Sequence, residues 1–436
     1  MASANDKARF YLEQSVPDLR EYERKAIFTR DEISAITRKR AGFEHVLNSP
    51  GAPAPTFARY AEYEMNLDTL RQKRVKRLGI KDRDHSGQKR IFSILNRATK
   101  RHRGDVGLWM QYIEYARKER AHKRLEEILT SVLRLHPTKP QLWIYAARYA
   151  AESDGDVAAG RNYLQRGLRF CVKCRSLWLE YMKLEMLYIA KIEGRRQVFG
   201  GHIKIAAKSQ SEQEEGADAD MIQLPDGSEE ALAGDASELA SDSIDKLEPI
   251  LNGAIPIAVF DAAMKDFDFD LSLAEEIFDM ITDFSSLPCS RTILQHIWSE
   301  MEEQAEDDPL TILCSLRMVL MGADPTDPEF PSTLGATLAR INGLLKNNPL
   351  APQMAYRTIS SLLAFLRNEE LDSALRKVLG ASVRRLTKEA EEGHQKSEEH
   401  SLGALLLKLE KANRAEDAHA LKELLPTKHT QVVSVG

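Results

Sequence analysis

Cysteine is scarce. The chain has four in 436 residues, at 171, 174, 289 and 314, too few and too unevenly placed for a disulfide framework, which points to a reducing compartment. Long apolar runs are missing as well. No stretch approaches the ~18 apolar residues a membrane span needs, and the opening MASANDKARFYLEQ has no apolar signal core, so a soluble intracellular protein is expected. Alternating β-branched runs are rare and Gly and Pro are modest, which leaves a helical chain. No Gly is followed by Lys, which excludes a standard phosphate-binding P-loop, and neither HExxH nor GxSxG occurs. A net charge of −5 argues against a generic polyanion binder. No convergent set of acid, base or nucleophile can be assembled from the sequence. No enzymatic activity, cofactor or metal site is therefore expected.

Tryptophan is scarce too, yet three of the four stand on a ruler: Trp109, Trp143 and Trp178, at spacings of 34 and 35. Around them the sequence reads LWMQYIEYA, LWIYAARYA and LWLEYMKLE. Offsets of three and seven from each Trp share one helix face, giving Trp109, Tyr112 and Ala116, then Trp143, Ala146 and Ala150, then Trp178, Tyr181 and Glu185. Fourteen residues before each Trp stands a Leu (95, 129, 164), and three residues after that Leu a small side chain (Ala98, Val132, Gly167). Each period is thus a pair of antiparallel helices. A single pair cannot bury both faces alone, so neighbours must stack, and the expected fold is all-α, an α-solenoid of helix-hairpin repeats. An earlier unit uses Phe in place of Trp: Phe57, Tyr60 and Glu64, with Phe43 fourteen back. Tyr63, Leu67, Leu70 and Leu78 continue its pattern, predicting a helix that overruns its neighbours. The rings are read as packing residues.

The Trp-x-x-Tyr-x-x-x-Glu order of WLEYMKLE, and its variant FARYAEYE, resembles the HAT (half-a-tetratricopeptide) repeat known from RNA-processing assemblies. The Trp143 unit departs from that pattern at both later positions, and the Trp109 unit lacks the Glu. The runs FYLEQSVPDLREYERKAIFTRDEISAITRKRAGFEHVLNSPG, YEMNLDTLRQKRVKRLGI, LHPTKPQLW and GLRFCVKCRSLWLEYMKLE resemble the HAT-repeat subunit family of the UtpB subcomplex of the small-subunit processome, most closely over residues 9–200. The resemblance implies a nucleolar, non-enzymatic scaffold that works with WD40-propeller subunits in early 18S ribosomal RNA maturation. The alternative is a HAT scaffold in messenger RNA 3′-end cleavage or splicing. A co-chaperone taking acidic C-terminal peptides is a third reading, better suited to a true tetratricopeptide array.

Charge divides the rest of the chain. Residues 71–103 hold thirteen Lys or Arg against Asp82 and Asp84, and Arg71, Lys73, Arg74, Lys76, Arg77, Lys81 and Arg83 form a candidate basic patch for RNA backbone or an acidic partner. A solvated face or a nuclear-import signal explains the same run. Residues 209–245 hold twelve Asp or Glu and no Lys or Arg, the composition of a solvated linker. The expected organisation is an N-terminal helical arm (1–30), a repeat block (31–200), the acidic linker (201–250), a degenerate repeat block (251–424) and a tail (425–436). Cys171 and Cys174 form a single CxxC without the further ligands a zinc site needs. His102 and His136 recur at the repeat period and are read as structural positions.

Overall fold

The structure is a computed structural model. It describes residues 4–80, 85–153, 155–212, 251–323, 327–346, 350–366 and 372–392, with a few single positions besides. The tail, the acidic run beyond residue 212, Lys81 and Arg83 lie outside the described residues. Everything regular is α-helical, with no strand among the described residues. Two compact units divide the chain, Met1–Ala146 and Ala147–Gly436.

The first unit opens with α1 (Ala4–Glu13), α2 (Val16–Arg24) and α3 (Arg30–Asn48), then α4 (Ala54–Leu78), α5 (Ser86–Arg101), α6 (Val106–Lys118) and α7 (His122–Leu135); α8 (Pro140–Glu152) runs across the boundary. Local chemistry sets the ends. Thr29 and Glu32 form a reciprocal capping box at the start of α3, Asp105 caps α6, and Gly79 ends α4 at φ 67° in the left-handed region that Gly adopts without a Cβ clash. The long α4 confirms the expected overrun. Its extra turns are supported from beneath by a cluster of Leu19, Tyr22, Ile27, Phe28 and Ile36, against which Leu67 and Val75 pack.

Within the repeats the small-residue positions lie where the period puts them. Leu95, Leu129, Ala98 and Val132 are buried. Trp109 and Trp143 are buried as well, and each ring N–H donates to the carbonyl six residues earlier: Arg103 at 3.0 Å and Pro137 at 2.8 Å. Each ring therefore pins the turn that leads into its own helix. The motif Glu has a partner the ring spacing does not reveal. Arg40 of α3 grips Glu64 of α4 with two hydrogen bonds, Nε to Oε1 at 2.7 Å and Nη2 to Oε2 at 2.8 Å, and both side chains are almost fully buried.

Close approach of α4 and α5 also depends on Gly87. A methyl there would come within 2.9 Å of Asp68 Cγ, and Asp68 cannot easily yield because Arg71 Nε (2.9 Å) and Gln72 Nε2 (2.8 Å) both donate to it.

The second unit contains α9 (Val157–Phe170) and α10 (Arg175–Glu212), then α11 (Ala254–Asp266), α12 (Leu271–Thr282), α13 (Ser290–Ala305), α14 (Pro309–Gly322), α15 (Phe330–Leu345), α16 (Ala351–Leu366) and α17 (Ser373–Glu392). The Arg–Glu clamp recurs in the first hairpin, where Arg161 donates twice to Glu185 at 2.6 Å. Trp178 departs from the other two: it is half-buried, and its N–H reaches Asp266 Oδ2 of α11 at 3.3 Å rather than its own turn. The same end of α10 is tied forward by Lys173 to Asp268 (3.1 Å) and by Arg175 to Asp270. Helices flanking the acidic run in sequence thus pack together in one unit. Deeper in this unit, α12, α14 and α16 enclose four charges. Arg317 Nη2 donates to Asp279 Oδ1 at 2.9 Å, Arg357 pairs with the same carboxylate, and Arg357 Nε lies 3.0 Å from Glu275 Oε1.

Removing one member of a buried pair strands the other charge and typically costs about 3–5 kcal/mol. Glu64→Gln is expected to destabilise the first unit by about that amount in urea unfolding. Arg40→Met combined with Glu64→Leu should recover most of the loss.

Candidate interaction surface

The basic run divides by the geometry of its helices. On α4, Arg71 and Arg74 point inward. Arg71 is buried against Asp68, and Arg74 donates to Glu32 through both terminal nitrogens (2.8 and 2.7 Å) and to the Ile27 carbonyl at 3.0 Å while lying over the Phe28 ring. Lys73, Lys76 and Arg77 are exposed, with no ion-pair partner among the described residues. Leu70, also exposed, begins the stripe Leu70, Lys73, Arg77 at steps of three and four, one face of a helix. Two of the seven patch residues are therefore structural clamps, and three are presented outward.

On α5 the division repeats. The helix has five Lys or Arg and no Asp or Glu. Arg90 bonds Asp18 at 3.3 Å, Arg97 grips Glu44 at 2.7 and 2.9 Å, and Arg101 donates to the carbonyls of Leu47 (2.6 Å) and Ser49 (2.7 Å). These three bind α5 back to the preceding helices and turns. Lys89 and Lys100 face outward.

The repeat residues occupy the interior of their units. Phe57, Tyr60, Glu64, Trp109, Tyr112 and Trp143 are buried in the first, Tyr181 and Glu185 in the second, and Trp178 is half-buried. Burial moves the titrating groups accordingly. Desolvation pushes the Tyr60 hydroxyl well above its ordinary range. The Arg74 guanidinium and the Thr29 backbone N–H hold Glu32 down at about 2, from 4.5. The motif positions carry a signal for Arg40 and Arg161 too. Each clamp joins a Glu to an Arg 24 residues earlier. In the two periods where the Glu is replaced by Ala116 or Ala150, the position 24 back is Phe92 or Glu126.

Among the described residues no group of His, Cys, Asp and Glu is placed to hold a metal ion. Cys171 and Cys174 sit together in the turn between α9 and α10, and burial together with the neighbouring thiol raises Cys171 above its ordinary range.

Consecutive helix hairpins, closed by buried ion pairs and rimmed on α4 and α5 by outward cations, define a helical-repeat protein of the α-solenoid class. Comparison with known proteins narrows this further. Residues 12–103 match the family model described as U3 small nucleolar RNA-associated protein 6. Similar curated proteins are U3 small nucleolar RNA-associated protein 6 of Schizosaccharomyces pombe, 36% identical over 55% of this chain and 51% of the relative, and the homolog of Homo sapiens, 30% identical over 69% of this chain and 48% of the relative. The homolog of Mus musculus is 28% identical over 83% of this chain and 60% of its own length. The chain spans about half the length of the curated relatives it matches.

Glu32 titrates below its ordinary value, so its contribution to stability is fully present above about pH 4.5 and is lost as pH falls towards about 2. Glu32→Gln should abolish that part of the acid destabilisation, seen as a smaller fall in melting temperature across this window. A second comparison separates the two classes of cation. Lys73→Glu, Lys76→Glu and Arg77→Glu together should leave the melting temperature within a few degrees, whereas Arg74→Glu, which sets two carboxylates face to face, should lower it clearly.

Proposed function

We propose that this chain is a non-enzymatic scaffold subunit of the small-subunit processome, the 90S pre-ribosome, acting in the nucleolus to support early precursor ribosomal RNA processing and 18S ribosomal RNA maturation. It works through protein–protein contacts with the WD40-propeller subunits of the UtpB subcomplex and through RNA-backbone contacts made by its outward cations. The hairpins are HAT repeats in this reading, with Glu64 and Glu185 as the motif carboxylates. One observation carries the proposal: the family match over residues 12–103 covers the segment in which Arg40–Glu64, Arg97–Glu44 and Arg74–Glu32 lock α3, α4 and α5 together. Rigidity of that kind suits a part that holds others in register. The names of the relatives point to a small nucleolar RNA-associated setting. Solenoid arrays in general offer extended surfaces to partners.

Crosslinking with mass spectrometry on particles purified through this chain tests the proposal. Links to WD40 subunits, with small nucleolar RNA and precursor ribosomal RNA in the same eluate, are expected. Recovery of messenger RNA cleavage factors or splicing proteins without those links would overturn it.

A further inference from the structure

A cleft of about 430 Å³ opens between the N-terminal helices and α5, lined on one side by Tyr11, Gln14 and Asp18 and on the other by Lys89, Arg90 and Ser93. Its two carboxylates are already engaged, Asp18 by Arg90 and Glu44 by Arg97. What remains for a ligand is mainly donors: the Lys89 ammonium, the further N–H groups of Arg90, the Gln14 amide and the Ser93 hydroxyl. From the cleft a straight exposed stripe continues along α5 through Lys89, Ser93, Asn96 and Lys100, at steps of four, three and four. Its ends are separated by a helix rise of about 16 Å. An extended anionic ligand, rather than one small ion, is needed to engage both lysines.

Next to Tyr11, which lines the cleft, stands an unused ring. Phe10 is 56% exposed, edge-on to Tyr11 at 5.5 Å between centroids. Tyr11 is fixed in place by the Arg97 guanidinium 3.9 Å from its ring centre, and Arg97 by Glu44. Burying large rings is the rule in this unit, so one left in water against a residue that lines a cationic cleft needs an occupant. An acidic peptide would use the lysines but gain little from the ring. A single strand of nucleic acid uses both, since its phosphates follow the donors while a base stacks on the aromatic face.

We propose that the α1–α5 cleft and the outward stripe of α5 form a track for single-stranded RNA, with Lys89 and Lys100 on phosphates and Phe10 as a stacking platform. The proposal builds on the ribosomal RNA setting above, and it assigns the RNA contact to α5 rather than to the stripe on α4. Because the assigned contacts fall on phosphates and on an aromatic face, binding is tolerant of sequence.

Fluorescence anisotropy with the full 436-residue chain and a labelled, unstructured RNA of about twelve nucleotides, titrated at several salt concentrations, tests it. Lys89→Gln with Lys100→Gln should reduce the slope of log K against log salt by about 1.4, two phosphate contacts at roughly 0.7 each. Phe10→Ala should weaken binding about 5- to 150-fold at every salt concentration while leaving the slope in place. Lys73→Gln, Lys76→Gln and Arg77→Gln together should leave both unchanged. All of these side chains are exposed, and unchanged melting temperatures confirm intact folding. An unaltered slope in the Lys89 and Lys100 variant, or a Glu-rich peptide of equal length that binds more tightly than RNA and is indifferent to Phe10→Ala, overturns the track. Absence of RNA binding by the intact chain at low salt does so as well, while protein crosslinks to WD40 subunits would still stand and keep the scaffold reading separate.

Discussion

A guanidinium gripping a carboxylate between two antiparallel helices is the interaction on which the rest of this chain depends. Arg40 with Glu64 and Arg161 with Glu185 each make two parallel hydrogen bonds, the first pair almost fully buried and the second with its carboxylate buried and its guanidinium partly exposed. The fork of the guanidinium matches the two oxygens in a single orientation, so the pair sets the register and rotation of both helices where apolar packing alone would tolerate sliding. Its net energy against an apolar pair is modest, because both ions lose their hydration. Its weight lies in specificity. Rings and small residues bring the helices together, and the clamp decides how they meet.

The same chemistry explains why a run of basic residues need not be a binding surface. Five cations of α4 and α5 point back into the fold or along its turns, each onto a carboxylate or carbonyl. Helical periodicity makes this separation unavoidable, since residues three and four apart share a face and those between them face elsewhere. A chain dense in Lys and Arg therefore feeds two demands at once. Arginine, with its planar fork, goes to the inward sites, and lysine predominates outside, as Lys73, Lys76, Lys89 and Lys100 illustrate.

The second unit solves a related problem with different parts. Beyond α10 its helices lack regularly spaced rings, and a four-charge cluster of Glu275, Asp279, Arg317 and Arg357 sits among α12, α14 and α16. Two positive and two negative groups leave no net charge inside. Such a cluster is costly to form but intolerant of mispairing, because every alternative packing strands an ion in an apolar interior.

The ring spacing by itself determined the helix hairpins, the buried faces of Trp109, Trp143 and Leu95, the overrun of α4 and the interior place of Glu64. Periodicity is a local property, and 3.6 residues per turn translate it directly into faces. The acidic composition of 209–245 likewise needed no coordinates to be noticed. Tertiary structure alone decided which cations are clamps and which are presented, that Trp178 reaches α11 instead of its own turn, that α10 packs on α11 and α12 across the acidic run, and that Tyr11 lines a cleft against α5. Those outcomes depend on partners distant in sequence, brought together by packing whose geometry no single helix specifies. The Arg 24 residues before the motif Glu lies between the two cases: it is visible as a co-occurrence once the contact is known, and silent before that.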